Sequence, residues 1–257
     1  MKALRAAAWM LLVCSPTIAM AGSGENSGKH LFILSGQSNM AGMKPEVSFT
    51  PAVTKAFGKD NIIVAKSAYS GASIRSWAKS NHEFPPPTRG RVPKVRGQFY
   101  DTLINGVKAA IKGEKLKTVT FVWMQGESDL NNTAYDVYLK ELIWQIQTDI
   151  NFKEINVVIG RISDCGLDQP KRLAGKKYIR KTQQEFAESH ARGAWVDTDD
   201  LNDRKQEDGE IIHDLHYTPA GYKILGQRFA EKSIALIKAN AKRPEGENSK
   251  FQTPNTK

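Results

Sequence analysis

Short apolar runs alternate with helical patterns along most of this chain, and that alternation constrains the fold more than any other feature. The runs are His30–Leu34, Asn61–Lys66, Thr118–Met124, Ile155–Ile162 and Ala194–Val196, each read as a strand. Between them, Gln98–Lys112 carries Phe99, Leu103, Val107 and Ile111 at helical spacing. Ala134–Ile150 carries Val137, Leu139, Leu142, Ile143, Ile146 and Ile150, a face wide enough to bury, with Asn132-Thr133 available as its cap. Arg172–His190 reads as a more polar, half-exposed helix, and Pro219 opens a last one, Ala220–Lys238. No internal repeat is present. This order predicts an α/β fold on a parallel sheet, and 257 residues with 40% hydrophobic content suit one sizeable core and one domain.

Three of the strands end in turns that can carry chemistry. After His30–Leu34 comes Gly36-Gln37-Ser38-Asn39-Met40, which places Ser38 at the carboxyl edge of the sheet, where open α/β sheets put their sites. After Asn61–Lys66 comes Ser67-Ala68-Tyr69-Ser70-Gly71-Ala72-Ser73, where Gly71 lets the backbone turn and present an N–H. After Thr118–Met124 comes Gln125-Gly126-Glu127-Ser128-Asp129, whose carboxamide could donate to an oxyanion. Late in the chain stands Asp214-Leu215-His216-Tyr217. A serine hydroxyl needs an imidazole to take its proton, and the imidazole needs a carboxylate or carbonyl to hold its tautomer. This chain supplies all three.

Those four blocks, in this order, resemble the sialate O-acetylesterase-like (SASA) carbohydrate esterases, a branch of the SGNH hydrolases that includes acetylxylan esterases. The resemblance covers about residues 29–237. It implies the SGNH hydrolase fold, a flavodoxin-like three-layer α/β/α sandwich with helices on both faces of the parallel sheet. The implied activity is removal of O-acetyl groups from carbohydrates, of acetylxylan or sialate type, without a metal or organic cofactor. Position by position, Ser38 matches the nucleophile, whose own N–H also binds the oxyanion. The Gly71 N–H and the Gln125 side chain match the other oxyanion donors, and His216 matches the general base. The acid departs from the simplest pattern, because His213 stands where the carboxylate is expected, three residues before the histidine. Asp214 is the preferred acid, and Glu127 is the alternative from its own strand end.

Lys2 and Arg5 precede the apolar stretch Ala6–Val13, and Ala19-Met20-Ala21 is a small-x-small site. Residues 1–21 therefore read as a signal peptide cleaved after Ala21, and the mature protein is expected to be secreted or periplasmic. The apolar stretch is much shorter than the roughly 20 residues that span a bilayer, so no membrane span is expected. Residues 22–239 read as the esterase domain, and 240–257 as a disordered polar tail. Cleavage removes Cys14 and leaves Cys165 alone, so no internal disulfide is expected. His30, His82, His190, His213 and His216 form no helical ligand pair, and no metal site is expected.

The formal net charge of +10 suits anionic surroundings, but no aromatic-basic stripe or nucleic-acid motif accompanies it. The basic and Pro-rich stretch Lys79–Gly97 reads as a loop shaping the site entrance. Asp197, Asp199 and Asp200 read as a solvated loop or cap in preference to a metal site. Arg75 and Trp77, just beyond the Gly71 turn, are candidate substrate contacts, with Trp77 equally suited to a core role. The partner expected is an acetylated carbohydrate. A non-catalytic carbohydrate-binding protein on this scaffold is one alternative; the intact Ser38, Gln125 and His216 count against it. A lipase or thioesterase of the SGNH group is another, and the lack of an apolar lid disfavours it. Which sugar is deacetylated depends on loop shapes that these motifs do not encode, and no motif selects an oligomeric state.

Overall fold

The computed structural model describes residues 28–79 and 95–241. The leader, most of the Lys79–Gly97 loop and the tail lie outside these residues. Five parallel strands form the central sheet: β1 (Lys29–Gly36), β2 (Ile62–Ala68), β3 (Leu116–Met124), β4 (Ile155–Gly160) and β5 (Gly193–Val196), in the order β2-β1-β3-β4-β5. The inner strands β1, β3 and β4 are buried on both sides, as their continuous apolar runs require.

Six helices flank the sheet: α1 (Ser38–Gly42), α2 (Phe49–Phe57), α3 (Tyr100–Ile111), α4 (Tyr135–Asp149), α5 (Pro170–Ser189) and α6 (Pro219–Asn240). Helices α2 and α6 pack together on one face, and α3, α4 and α5 cover the other. Alternation along β3 serves the two layers: Trp123 and Phe121 meet the α4 side through Tyr135 and Trp77, while Met124 points with Phe229 of α6. The strand and helix positions agree with the sequence expectation to within a few residues. Helices α1 and α2 and one hairpin were not expected. Helix α2 spans only nine residues and carries Pro51 in its first turn, so its pattern is short and interrupted. A hairpin of β6 (Asp203–Lys205) and β7 (Ile211–His213) lies just before the Asp214–Tyr217 block, and its strands have three residues each.

Register brings the strand ends together. Gly36 pairs with Ala68 on one side and Met124 on the other, so the residues that follow β1, β2 and β3 emerge at one edge. The chain leaves β1 toward β2 in one direction and toward β3–β5 in the other, which makes the β1/β3 boundary the switch point where such sheets form clefts. Glycine is needed at 36 because a Cβ there would collide with the Met124 carbonyl.

Candidate active site

Ser38 is the first residue of α1 and is half-buried at this switch point. The residues on either side of it hold it there. The Gln37 amide extends the β1–β3 ladder to the Met124 carbonyl at 2.9 Å. Its buried side-chain oxygen accepts from Gln125 Nε2 at 3.1 Å and from the Gly126 and Ser128 amides at 3.3 Å each. One carboxamide thus gathers the turn after β3 against the turn after β1.

Asn39 makes the longer connection. Its buried Nδ2 donates to Glu127 Oε1 at 2.9 Å and to the Leu215 carbonyl at 3.2 Å, and its Oδ1 accepts from the Tyr222 hydroxyl at 3.1 Å. The neighbour of Ser38 therefore grips the neighbour of His216. From the other side, Asn202 accepts from the Asp214 amide at 3.1 Å and donates to its carbonyl at 2.8 Å. Thr218 then caps α6, with its hydroxyl accepting from the Gly221 amide at 3.0 Å. His216 is exposed at the tip of this loop, and among the described residues no hydrogen bond joins it to Ser38.

The two candidate acids have different surroundings. Asp214 accepts from the Leu215 amide at 2.6 Å through Oδ1 and pairs with Arg204 of β6 at 2.8 Å through Oδ2, so both oxygens already have partners. His213 is likewise turned outward, to Asp203 at 2.8 Å and Asp164 at 3.5 Å. Glu127 is only 8% exposed, and its Oε2 is buried without a hydrogen-bond partner. It lies between the flanks of His216: Asn39 links it to Leu215, and its charge adds to the burial that raises the phenol of Tyr217.

Three of the candidate residues have surroundings that the sequence does not show. Gln125 is fully buried, and its Nε2 meets three acceptors: Asp129 Oδ2 at 2.6 Å, Gln37 Oε1 at 3.1 Å and the Ala72 carbonyl at 3.2 Å. With two protons facing three acceptors, its side chain braces the site as it stands here. Asp129 is the hub of that brace, because the same Oδ2 accepts from the Ile74 amide at 2.8 Å and fastens the segment after Gly71. Burial pushes its carboxyl up to about 6, against the pull of these hydrogen bonds and of Arg75. Gly71 itself keeps the expected form: φ is +70°, and a Cβ would meet nothing within 4 Å, so backbone conformation selects glycine there and not crowding.

Arg75 and Trp77, the candidate substrate contacts, are both buried. Arg75 is 8% exposed and lies over the Tyr138 ring at 5.8 Å, while Trp77 is fully buried, edge-on to Trp123 at 5.1 Å and Phe99 at 5.7 Å. A tryptophan on a short turn beside the sheet is drawn into the core by its apolar area. Trp77→Ala should destabilise the protein by about 3–5 kcal/mol, read as a lowered denaturant midpoint. A loss below about 1 kcal/mol would place the ring at the surface.

The sequence reading also passed over the anchoring roles of Gln37, Asn39, Asn202 and Gln183. Gln183 lies on the buried face of α5 with Ile179 and Phe186, and a polar residue on an apolar stripe was the available signal. It donates to the Gln125 carbonyl at 2.7 Å and accepts from the Ile162 amide at 2.9 Å. The aspartates after β5 are answered by arginines: Arg161 meets Asp197 and Asp199, Arg180 forks onto Asp199, and Arg228 onto Asp200. Among the described residues no cluster could hold a metal ion, and no helix is long and apolar enough to cross a membrane.

A parallel sheet in this order, flanked by helices on both faces, with Ser38 just after its first strand and the His216 loop ahead of its last helix, defines a three-layer α/β protein with its candidate site at the strand ends. The chain belongs to the SASA family, whose description is carbohydrate esterase, sialic acid-specific acetylesterase, and whose model matches residues 42–235. It is a carboxylic ester hydrolase acting on carbohydrates. The matched region starts just after Ser38. Among solved structures, a protein of Arabidopsis thaliana is similar with a TM-score of 0.58 and 19% identity, over 81% of this chain and 99% of that one. A carbohydrate acetylesterase from Xanthomonas citri gives 0.55 and 15%, over 82% of this chain and 57% of that one. A family 2 carbohydrate esterase with a carbohydrate-binding domain, from Corynascus thermopiles (Myceliophthora fergusii), gives 0.51 and 13%, over 82% and 67%. At these identities the likeness is one of fold. No curated protein matches the sequence.

Proposed function

We propose that this carbohydrate esterase is an exported serine enzyme that removes O-acetyl groups, with Ser38 as nucleophile, His216 as base and Glu127 as the acid that orients the imidazole. Ser38 Oγ attacks the acetyl carbonyl carbon while His216 takes its proton, and the amides of Ser38 and Gly71 receive the oxyanion. The sugar oxygen leaves with the proton held by His216. Water, activated by the same imidazole, then attacks acetyl-Ser38 and releases acetate. Acetyl as the acyl group agrees with the family description and with the activity named for the Xanthomonas neighbour.

The observation that carries this reading is the Asn39 side chain, which joins the Ser38 turn, Glu127 and the His216 loop within one set of hydrogen bonds. Glu127 is preferred to Asp214 because its Oε2 is buried and unpartnered, whereas both Asp214 oxygens are already engaged. A polar group left without a partner in the interior is costly unless something meets it during the reaction. Export rests on the leader read at 1–21.

The test is acetate release from a panel of acetylated xylan, O-acetylated sialosides and other acetylated glycans, alongside chromogenic acetate and butyrate esters. Release from at least one glycan, with acetate favoured over butyrate, is expected, and the activity should be recovered outside the cytoplasm. Turnover of the butyrate ester with no acetate from any glycan would point to a lipase-like enzyme.

A further inference from the structure

Helix α5 sends one charged side chain into the protein that the chemistry above does not use. Lys176 is 2% exposed, and its ammonium donates to the Ser163 carbonyl at 2.9 Å. The helix lies directly on the turn Gly126–Leu130, because residue 175 is glycine and a Cβ there would collide with the Leu130 carbonyl. Ile179 and Gln183 close over Gly126 along the same face. Lys176 is thereby brought beside the turn that carries Glu127.

A buried ammonium with a carbonyl for a partner needs a counter-charge. The charged and titratable groups facing Lys176 are Glu127 from the turn after β3, Cys165 and Asp164 from the loop after β4, and Arg180 on its own helix. Burial lowers the pKa of Lys176 from the ordinary lysine value, and among these charges Glu127 pulls it back most strongly. Around Glu127 itself stand Lys176, Tyr217, Tyr222 and Tyr135. Lys176 is the cation in that set.

We propose that Lys176 is a positioning residue for the esterase reaction, whose buried charge stabilises the Glu127 carboxylate that orients His216. The proposal rests on the assignment of Glu127 as the acid. Loss of a positive charge beside the site favours the protonated, inactive form of the enzyme. The acid limb of kcat/KM therefore moves to higher pH when the charge is lost.

The experiment is the pH profile of kcat/KM on a chromogenic acetate ester. Lys176→Gln keeps a donor for Ser163 and drops the charge; its acid limb should rise by about one pH unit while plateau turnover stays within about threefold. Lys176→Arg should leave the limb in place. A structural role alone would lower the plateau or the melting temperature without moving the limb, and a limb displaced by less than about 0.2 unit in folded Lys176→Gln overturns the proposal. Should that variant not fold, a thermal-unfolding cycle decides with Lys176→Met, Glu127→Gln and the pair together. The pair is expected to melt above Lys176→Met alone, because it leaves no unbalanced carboxylate, and a pair that melts no higher also overturns it. The cycle reads no turnover, so it is separate from the triad assignment, which full activity in Glu127→Gln would instead overturn.

Discussion

Ser38→Ala is expected to reduce acetate release by about 10⁴-fold or more while the protein melts within about 1 °C of the parent. The size of the first effect follows from the hydroxyl being the atom that forms the acyl-enzyme. The smallness of the second follows from the site: Ser38 is half-buried, and the hydrogen bonds that hold its turn belong to Gln37 and Asn39. Residual turnover above about one hundredth of the parent value would remove Ser38 from the nucleophile role. A large fall in melting temperature would instead show that the hydroxyl supports the turn.

Glu127→Gln should lower kcat by about 10³- to 10⁴-fold with little change in KM, and Asp214→Asn by about tenfold or less. The glutamine can still accept from Asn39, so the turn is preserved. What is lost is the charge and the acceptor at the buried Oε2, and an amide N–H there would favour the wrong imidazole tautomer. Asp214 forms a partly exposed pair with Arg204 and bonds the next amide, so its loss loosens the hairpin and loop without reaching the imidazole. The double variant should be no worse than Glu127→Gln alone. If Asp214→Asn proves the severe change and Glu127→Gln nearly silent, the acid is Asp214, as the sequence alone had suggested.

Much of the scaffold was legible because its signals are local. The runs at Leu31–Leu34 and Val119–Met124 are continuous and apolar because those strands are covered on both faces, and α4 shows its buried stripe directly in its spacing. Helix α2 and the β6–β7 hairpin were missed because elements this short carry too little periodicity to stand out from loops. In the site, glycine at 71 was readable because a positive φ is a property of one residue. The partners of Gln125 were not readable because a carboxamide donates or accepts according to its neighbours, and its neighbours Asp129, Gln37 and the Ala72 carbonyl come from separate parts of the chain.

By itself the sequence determined the parallel α/β scaffold and the placement of Ser38, Gly71 and Gln125 just past strand ends, since backbone preference and hydrophobic period act over a few residues. Tertiary structure alone decided the orientation of the side chains. Trp77 turned inward onto Trp123, Asp214 turned to Arg204, Glu127 was left with a buried free oxygen, and Lys176 was pressed beside its turn. Each of those outcomes is a competition between burial and partners that lie far apart in the chain and become neighbours only when the sheet is assembled.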